Sequence, residues 1–245
     1  MKLIKKYGLF IFWGVLILDC LLSFLNSIGQ ALEYRIYTKP LLLPILAAYF
    51  FVNISRSRHK RSKTFVYLAL FIAWLGDLLL LKNDFLNKFT PKYQGDIYLI
   101  IGICLLLTAF CLYGFMFRKM NKINIKDCQE AFLSTLAMIV ICTLFFKILN
   151  KFPLGHFKYL ILVGMVVMTI VMGLAANVYN DKIRKNMAYQ YFIPGTMIIC
   201  ISMGILIAYR FFLQDGIEFL PAVIVLTYGF GQMLVIRGFT KYLKA

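Results

Sequence analysis

Eight long apolar stretches, separated by short polar segments, account for most of this chain. Each runs for roughly 18 to 25 residues, the length that an α-helix needs to cross a bilayer, whereas barrel strands are about 10 residues long and alternate. The pattern therefore predicts an all-α fold, a polytopic transmembrane helical bundle of about eight spans. The predicted spans cover residues 8–28, 39–55, 64–81, 97–117, 131–149, 159–179, 192–213 and 219–242.

Composition supports a membrane protein. Hydrophobic residues make up 62% of the chain and charged residues only 15%, and a water-soluble fold of this size cannot bury so much apolar surface. The segments between the spans are too short to fold as a soluble domain, so we interpret residues 1–245 as a single membrane domain. The N-terminal segment has the basic flank of a signal peptide, but its long apolar part contains Asp19 and has no small-x-small cleavage site. We interpret it as a retained first span.

The positive charge of the chain predicts its orientation. A formal net charge of +17 would favour nucleic-acid binding in a soluble protein, but here the basic residues punctuate apolar spans. The N-terminus, the loops after spans 2, 4 and 6, and the C-terminal end hold 18 Lys and Arg residues, against 9 in the other four loops. The positive-inside rule then predicts that both termini are cytoplasmic. The basic loops, densest at residues 56–63, would face anionic lipid headgroups rather than nucleic acid.

Two carboxylates lie inside predicted spans, Asp19 in span 1 and Asp77 directly after Gly76 in span 3. A carboxylate in the membrane must be protonated or find a partner, and a residue of this kind is therefore a candidate for a functional site. Asp19, Asp77 and Met203 lie 11, 13 and 11 residues from the predicted starts of spans 1, 3 and 7, which run in the same direction. At a rise of about 1.5 Å per residue, these positions have similar depths and can share a site.

Polar side chains recur at helical spacing on several spans, which is typical of faces turned away from lipid. They predict a polar cavity in the bundle, although interhelical hydrogen bonding alone also explains single Ser, Thr, Asn or Gln residues. Lys39 precedes Pro40 at the predicted first turn of span 2 and can snorkel to the interface. The stripes contain Ser23, Asn26 and Gln30 after Asp19, then Thr169, Gly173 and Asn177, Ser202 and Tyr209, and Tyr228 and Gln232.

Several other chemistries are excluded by the residues available. The two histidines, His59 and His156, fall in loops on opposite sides of the predicted membrane, so neither a His-based metal site nor a Ser-His pair is available. The six cysteines form no CxxC pair, no Gly-rich phosphate loop is present, and no lysine lies in mid-span for a retinal Schiff base. The sequence predicts no metal and no cofactor.

Five motifs follow one another in an order known from one family of membrane proteins. They are TKPLLLPIL at 38–46, WLGDLLLL at 74–81, YLIIGICLLLTAFCLY at 98–113, PGTMIICISMGILIAYRF at 194–211 and TYGFGQMLVIRG at 227–238. In this order the chain resembles the YhhN family of bacterial and animal eight-span membrane proteins, to which the lysoplasmalogenases belong.

The resemblance implies hydrolysis of the vinyl ether of a lysoplasmalogen, without a metal, to a fatty aldehyde and a glycerophospho-alcohol. It also implies a multi-pass protein of the bacterial inner membrane that has a membrane lysolipid as its substrate. Asp77 matches a family aspartate and is the candidate acid or base. Lys39 or Arg237 would lie near the phosphate. The other candidate substrate-binding residues are Tyr113, Asn177, Ser202, Tyr228 and Gln232.

Two positions depart from the family pattern. Met203 follows Ser202 where the family often has Asp, and Phe110 stands where a histidine is expected. Neither side chain can transfer a proton, so our hypothesis is that Asp19 replaces the missing carboxylate. The alternatives are a lipid- or amphiphile-binding or transport protein without chemistry, and a bundle in which the polar stripes only hold helices together.

Overall fold

The computed structural model describes residues 2–27, 32–54, 60–89, 95–121, 129–151, 155, 157–180, 184–212 and 217–244. Within these ranges the chain is helical and has eight helices long and apolar enough to cross a membrane, which confirms the predicted all-α class and the number of spans. The helices are α1 Lys2–Ser27, α2 Leu32–Ile54, α3 Lys60–Phe89, α4 Gly95–Met120, α5 Gln129–Leu149, α6 Phe157–Asn177, α7 Ile193–Phe212 and α8 Leu220–Lys244.

The connection from α6 to α7 is itself largely helical. A 3₁₀ turn, Val178–Asn180, follows α6, and a helical turn, Lys185–Met187, with a π-helical turn, Ala188–Phe192, leads directly into α7. The apolar span that contains α7 therefore begins at Lys185, earlier than the predicted start at residue 192.

Helix α8 lies at the centre of the bundle, where it contacts α1, α2 and α7. Helices α3 and α4 form a second tightly packed pair, α4 also contacts α6, and α5 lies at the periphery against α6. The side chains of α5 are mostly exposed. Because they are apolar, they suit contact with lipid.

The helix pairs approach closely where both partners have glycine. On α3, a Cβ added to Gly76 would lie 3.0 Å from the carbonyl oxygen of Gly102 on α4. On α7, a Cβ added to Gly195 would lie 3.1 Å from the carbonyl oxygen of Gly231 on α8. Small residues at these crossings allow the two backbones to touch, as is common in membrane bundles.

An aromatic cluster fills the end of the bundle at which α4 and α8 terminate. The ring of Phe117 stacks on that of Phe239, with centroids 5.3 Å apart, and Phe192 packs edge-on against Phe117 at 5.0 Å. Tyr113 packs against Phe239 from one turn deeper, with centroids 5.7 Å apart. Space for a ligand is therefore left at the other end, where α2, α4, α6 and α8 begin.

The start of α2 differs from the prediction. Span 2 was expected to open at Lys39 and Pro40, but α2 begins at Leu32, and Pro40 and Pro44 lie inside the helix. The polar residues before Pro40 lower the local hydropathy, so the hydropathy pattern does not reveal the two helical turns that precede Pro40. These turns are stable because they pack against the surrounding helices. The predicted polar residue Gln30 and both histidines, His59 and His156, lie outside the described residues.

Candidate functional site

A cavity of about 100 Å³ lies between α2, α3, α4, α7 and α8. It occupies the half of the bundle where α2, α4 and α8 begin and where α7 ends. Its remaining walls are mostly aliphatic. We call it the polar cavity, and its main polar lining residues are Arg35, Lys39, Asp77, Ser202, Arg210 and Tyr228.

Asp77 is placed in the polar cavity by the close packing of α3 on α4. Gly76 rests against the Gly102 carbonyl and the Leu106 side chain, so the next residue turns toward the bundle interior. The Asp77 side chain is buried, with 8% of its surface exposed, and it is the only acidic residue among the described cavity lining. Its carboxylate interacts electrostatically with Lys39 and faces the hydroxyl of Tyr228.

Lys39 is positioned by an unusual stretch of backbone in α2. Pro44 has no N–H, so the carbonyl of Pro40 lacks its normal helical donor. The indole N–H of Trp74 on α3 donates to this carbonyl at 2.9 Å. The bond joins α2, next to Lys39, to α3, three residues before Asp77, and so it holds the backbones that carry the cation and the carboxylate together.

Asp19 does not line the polar cavity, although it lies within electrostatic range of Asp77. Its fully buried Oδ1 accepts a hydrogen bond from the Thr38 hydroxyl at 2.6 Å and lies 3.9 Å from the Nε of Arg35. Arg35 in turn lines the cavity. Asp19 thus balances the charge of a cavity residue and stands behind it.

Ser202 and Tyr228 form part of the opposite wall. The Ser202 hydroxyl donates to the carbonyl of Ile224 at 3.0 Å, which joins α7 to α8. The Tyr228 hydroxyl is buried next to Asp77 and Gln232, but no hydrogen bond of ordinary length and angle reaches it within the described residues. It therefore lies at the cavity wall, close to the Asp77 carboxylate.

Tyr113 and Gln232 lie one layer deeper, beneath Tyr228. The Tyr113 hydroxyl donates to Gln232 Oε1 at 3.0 Å, and both side chains are fully buried. Gln232 Nε2 has no hydrogen-bond partner among the described residues. Neither residue lines the cavity, so this pair supports the cavity floor.

Two predicted site residues lie away from the polar cavity. Asn177, at the end of α6, donates to the carbonyl of Asn121 at 3.3 Å and accepts from the Asn121 amide on its own carbonyl at 2.7 Å. Arg237 is exposed, and its guanidinium lies 5.5 Å from the ring centroid of Tyr191. It interacts with Tyr49 of α2, about 15 Å along that helix from Lys39. Arg237 and Lys39 therefore cannot hold the same phosphate.

A second, larger space of about 240 Å³ lies between α4, α5, α6 and α7. We call it the apolar groove, because Arg210 is the only charged residue in its described lining. Met203 and Arg210 line both the groove and the polar cavity, so the two spaces adjoin. Phe110, at the position expected for histidine, lines the groove. Phe110 thus lies on the apolar side of the site, and Met203 lies between the two spaces.

Sequence reasoning missed Arg35 and Arg210 as cavity residues. Arg35 precedes Lys39 by four residues, which places both on one face of a helix, but only if α2 extends beyond its apolar part. Arg210 was used only in the charge count that predicted orientation. The position of a basic residue at a span end does not show whether it faces lipid headgroups or the bundle interior.

The arrangement combines the carboxylate of Asp77, two cations from α2, one cation from α7, and the hydroxyl group of Tyr228. Such a site can bind an anionic headgroup and transfer a proton to or from a bound molecule. No group of three His, Cys, Asp or Glu side chains that could hold a metal ion occurs within the described part of the chain.

The family profile described as "YhhN family" matches residues 34–239. This interval includes seven of the eight helices in whole or in large part, and it contains all the polar residues named in the cavity lining. No curated protein and no solved structure matches the chain significantly. On the extent of the profile match, and in agreement with the predicted resemblance, this integral membrane protein belongs to the YhhN family.

Proposed function

We propose that this protein hydrolyses the vinyl ether bond of a lysoplasmalogen, with Asp77 as the residue that carries the proton. The observation that carries the proposal is the placement of Asp77, the one acidic residue in the described lining of the polar cavity, together with Arg35 and Lys39. A vinyl ether needs a proton donor, and the phosphate of a lysolipid needs cations. The cavity offers both.

The reaction uses Asp77 first as an acid and then as a base. Its protonated carboxyl gives a proton to the vinyl carbon remote from the oxygen, and the electrons of the double bond form the new C–H bond. An oxocarbenium ion remains, and the Asp77 carboxylate stabilises it at short range. The carboxylate then accepts a proton from the water that attacks this ion. The hemiacetal then collapses: the re-protonated Asp77 gives its proton to the glycerol oxygen as the bond from that oxygen to the carbon breaks, and the hemiacetal hydroxyl loses its proton to Asp77 as the carbonyl forms. The products are an aldehyde and a glycerophospho-alcohol, and Asp77 is again protonated.

The same cavity suggests how the substrate is oriented. Arg35, Lys39 and Arg210 lie toward the end of the bundle at which α2 begins and α7 ends, and they are suited to a phosphate. Asp77 and Met203 lie deeper. A lysolipid that entered with its headgroup at the cations would place its ether bond near Asp77. Asp19, which balances the charge of Arg35, would act as a positioning residue.

The charge bias of the loops extends the proposal to the location of the site. With both termini in the cytoplasm, the cavity would open toward the outer face of a bacterial inner membrane. Basic loops on the cytoplasmic side would bind anionic lipid headgroups. This orientation is tested with a single cysteine placed in the α7–α8 connection. A membrane-impermeant thiol reagent should label it in intact cells, and labelling only after the membrane is opened contradicts the orientation.

The activity is tested with purified protein and a lysoplasmalogen in detergent, with free aldehyde as the readout. We expect aldehyde from the native protein and none from Asp77→Asn, which keeps the size of the side chain but removes its acid. The matched lysolipid with a saturated alkyl ether should release no aldehyde from either protein. Absence of aldehyde from the native protein, under conditions in which another YhhN-family hydrolase works, contradicts the proposal.

A second candidate function is binding or transport of a lipid without chemistry. The observation that favours it is Met203, a thioether at the boundary of the polar cavity where relatives often have a carboxylate. A binding or transport function predicts that a lysolipid co-purifies with the protein and is chemically unchanged after incubation. Mass spectrometry of bound lipid before and after incubation separates the two functions.

A further inference from the structure

The apolar groove and the polar cavity are neighbouring spaces that share part of their walls. Leu99, Leu106, Met203, Leu206 and Arg210 line both spaces. On the cavity side this boundary carries charge, and on the groove side it is aliphatic. A molecule that occupies both must therefore be polar at one end and apolar at the other.

The charges of the two spaces are unequal. The described lining of the polar cavity has three cations, Arg35, Lys39 and Arg210, and one carboxylate, Asp77. Asp19 lies behind Arg35 and adds a second negative charge outside the lining. Within the lining the balance is positive, which favours an anionic headgroup. Arg210, which lies at the junction, is the only charged residue among the described residues that line the groove.

The groove has the length of a lipid chain. Along α7 it is lined from Met197 to Arg210, which corresponds to about 20 Å of helix. The hydrocarbon core of a bilayer is about 30 Å thick, so one leaflet is about 15 Å deep. The groove can therefore hold one extended chain of a membrane lipid beside the cavity.

From the shared wall, the charge and the length, we propose that the apolar groove binds the single hydrocarbon chain of the lysolipid whose phosphate lies in the polar cavity. This inference rests on the proposed function for the identity of the headgroup. It goes further by assigning the chain to α4, α5, α6 and α7, with Leu206 and Arg210, which line both spaces, at the point where the chain leaves the cavity. The occupant is the substrate, and not a bulk lipid.

Gly204 provides a direct means to test the assignment. It lines the groove on α7, and a Cβ added there meets no atom within 4 Å. Gly204→Leu therefore fills the groove without forcing the backbone to move. Gly14 on α1 is a matched control, since its added Cβ also meets nothing within 4 Å and the residue is exposed on a helix outside both spaces. Leucine is more favourable than glycine in both helices.

The experiment uses a lysophospholipid with a saturated 1-alkyl ether chain that ends in a diazirine, bound to the full-length protein in lipid nanodiscs. This probe has no vinyl ether, so hydrolysis does not consume it. A diazirine alcohol of the same chain length, without phosphate, is the comparison. After irradiation, adducts are located by peptide mass spectrometry.

We expect adducts on groove residues near the inner end, such as Met168 and Met197, in the native protein and in Gly14→Leu. We expect loss of these adducts in Gly204→Leu, and little labelling of the groove by the phosphate-free alcohol. Adducts that persist in Gly204→Leu, that fall on the lipid-facing side chains of α5, or that form equally with the alcohol overturn the inference.

The outcome is separable from that of the proposed function. Groove adducts in a protein that releases no aldehyde from a lysoplasmalogen support the chain site and contradict the hydrolase. Aldehyde release without groove adducts supports the hydrolase and contradicts the chain site. A graded decrease of adducts from glycine through Gly204→Ala to Gly204→Leu shows that the filled volume, and not a general loss of structure, causes the effect.

Discussion

The indole N–H of Trp74 donates to the main-chain carbonyl of Pro40 at 2.9 Å, and it supplies the hydrogen bond that Pro44 cannot make. In a bilayer, such a freed carbonyl has no water to satisfy it, so the neighbouring helix must provide a donor. Here the donor comes from the helix that carries Asp77, and the acceptor lies next to Lys39. A helix defect in α2 thereby joins the two helices that carry Lys39 and Asp77.

This relationship predicts the effect of Trp74→Phe. The buried carbonyl of Pro40 would lose its donor, which costs about 1–3 kcal/mol. Pro44→Ala restores a helical N–H at a position whose own side chain is exposed. We therefore expect the loss of unfolding free energy caused by Trp74→Phe to be smaller in the Pro44→Ala background. Thermal unfolding of the four proteins of this double-mutant cycle gives the coupling, and an equal loss in both backgrounds contradicts the explanation.

A second prediction concerns the contact that holds Asp77 in place. In Gly76→Ala, the new methyl group would lie 3.0 Å from the Gly102 carbonyl oxygen and 3.1 Å from Leu106. Because backbone cannot yield as a side chain does, α3 and α4 must separate. We expect a loss of about 1–3 kcal/mol of stability, together with lower aldehyde release as Asp77 shifts.

The control for this prediction is Gly14→Ala, where the added methyl group meets no atom within 4 Å. Its stability should equal or exceed that of the native protein, because alanine is favoured over glycine in a helix. Equal effects of Gly76→Ala and Gly14→Ala on melting temperature and aldehyde release would show that the backbones of α3 and α4 do not touch at Gly76 in the purified protein.

The fold was largely predictable because membrane spans are set by length and hydropathy. Asp77 could be found for the same reason, since a carboxylate in an apolar run is conspicuous. The start of α2 could not be predicted, because Arg35 and Thr38 are polar residues that only the packing of neighbouring helices buries. Their partner, Asp19, is on α1. The spacing of polar residues along one helix does not show which residue of another helix they contact.

Depth and face together were needed to place the remaining candidates. On the stripe of span 8, Tyr228 lies beside Asp77, and Gln232 lies one turn deeper, beside Tyr228. Asn177 also belongs to a helical stripe, but it lies at the other end of the bundle, against Asn121. Periodicity identifies a buried face along a whole helix, whereas a site occupies one depth. Only the packing of helices shows which part of the face meets the cavity.

A third prediction separates the roles of the two buried aspartates. Asp19→Asn leaves Arg35 buried without its counter-charge, which costs about 3–5 kcal/mol. Asp77 lies in no ion pair shorter than 4.0 Å among the described residues, and the nearby Lys39 is only partly buried, so Asp77→Asn leaves no fully buried cation without its partner. We expect Asp19→Asn to lower the melting temperature strongly, and Asp77→Asn to change it little while it abolishes aldehyde release.

Charge removal from both partners tests the cause. The double variant Asp19→Asn with Arg35→Gln should recover part of the stability, because no uncompensated charge remains. If instead Asp19→Asn folds with native stability and releases no aldehyde, then Asp19 takes part in the chemistry as the replacement for the carboxylate missing at Met203.

The last prediction compares two tyrosines that differ in the use of their hydroxyl groups. Tyr113 donates to Gln232 Oε1 at 3.0 Å in a fully buried pair, so Tyr113→Phe should cost about 1–3 kcal/mol of stability. The Tyr228 hydroxyl is buried beside Asp77 without an ordinary hydrogen bond among the described residues. Tyr228→Phe should therefore leave the melting temperature unchanged or raise it. It should also slow aldehyde release by about tenfold, the kinetic equivalent of one lost hydrogen bond to the reacting groups. Unfolding and turnover measured on both variants give opposite rankings if the polar cavity is the site of reaction, and the same ranking if Tyr228 serves only to pack α8.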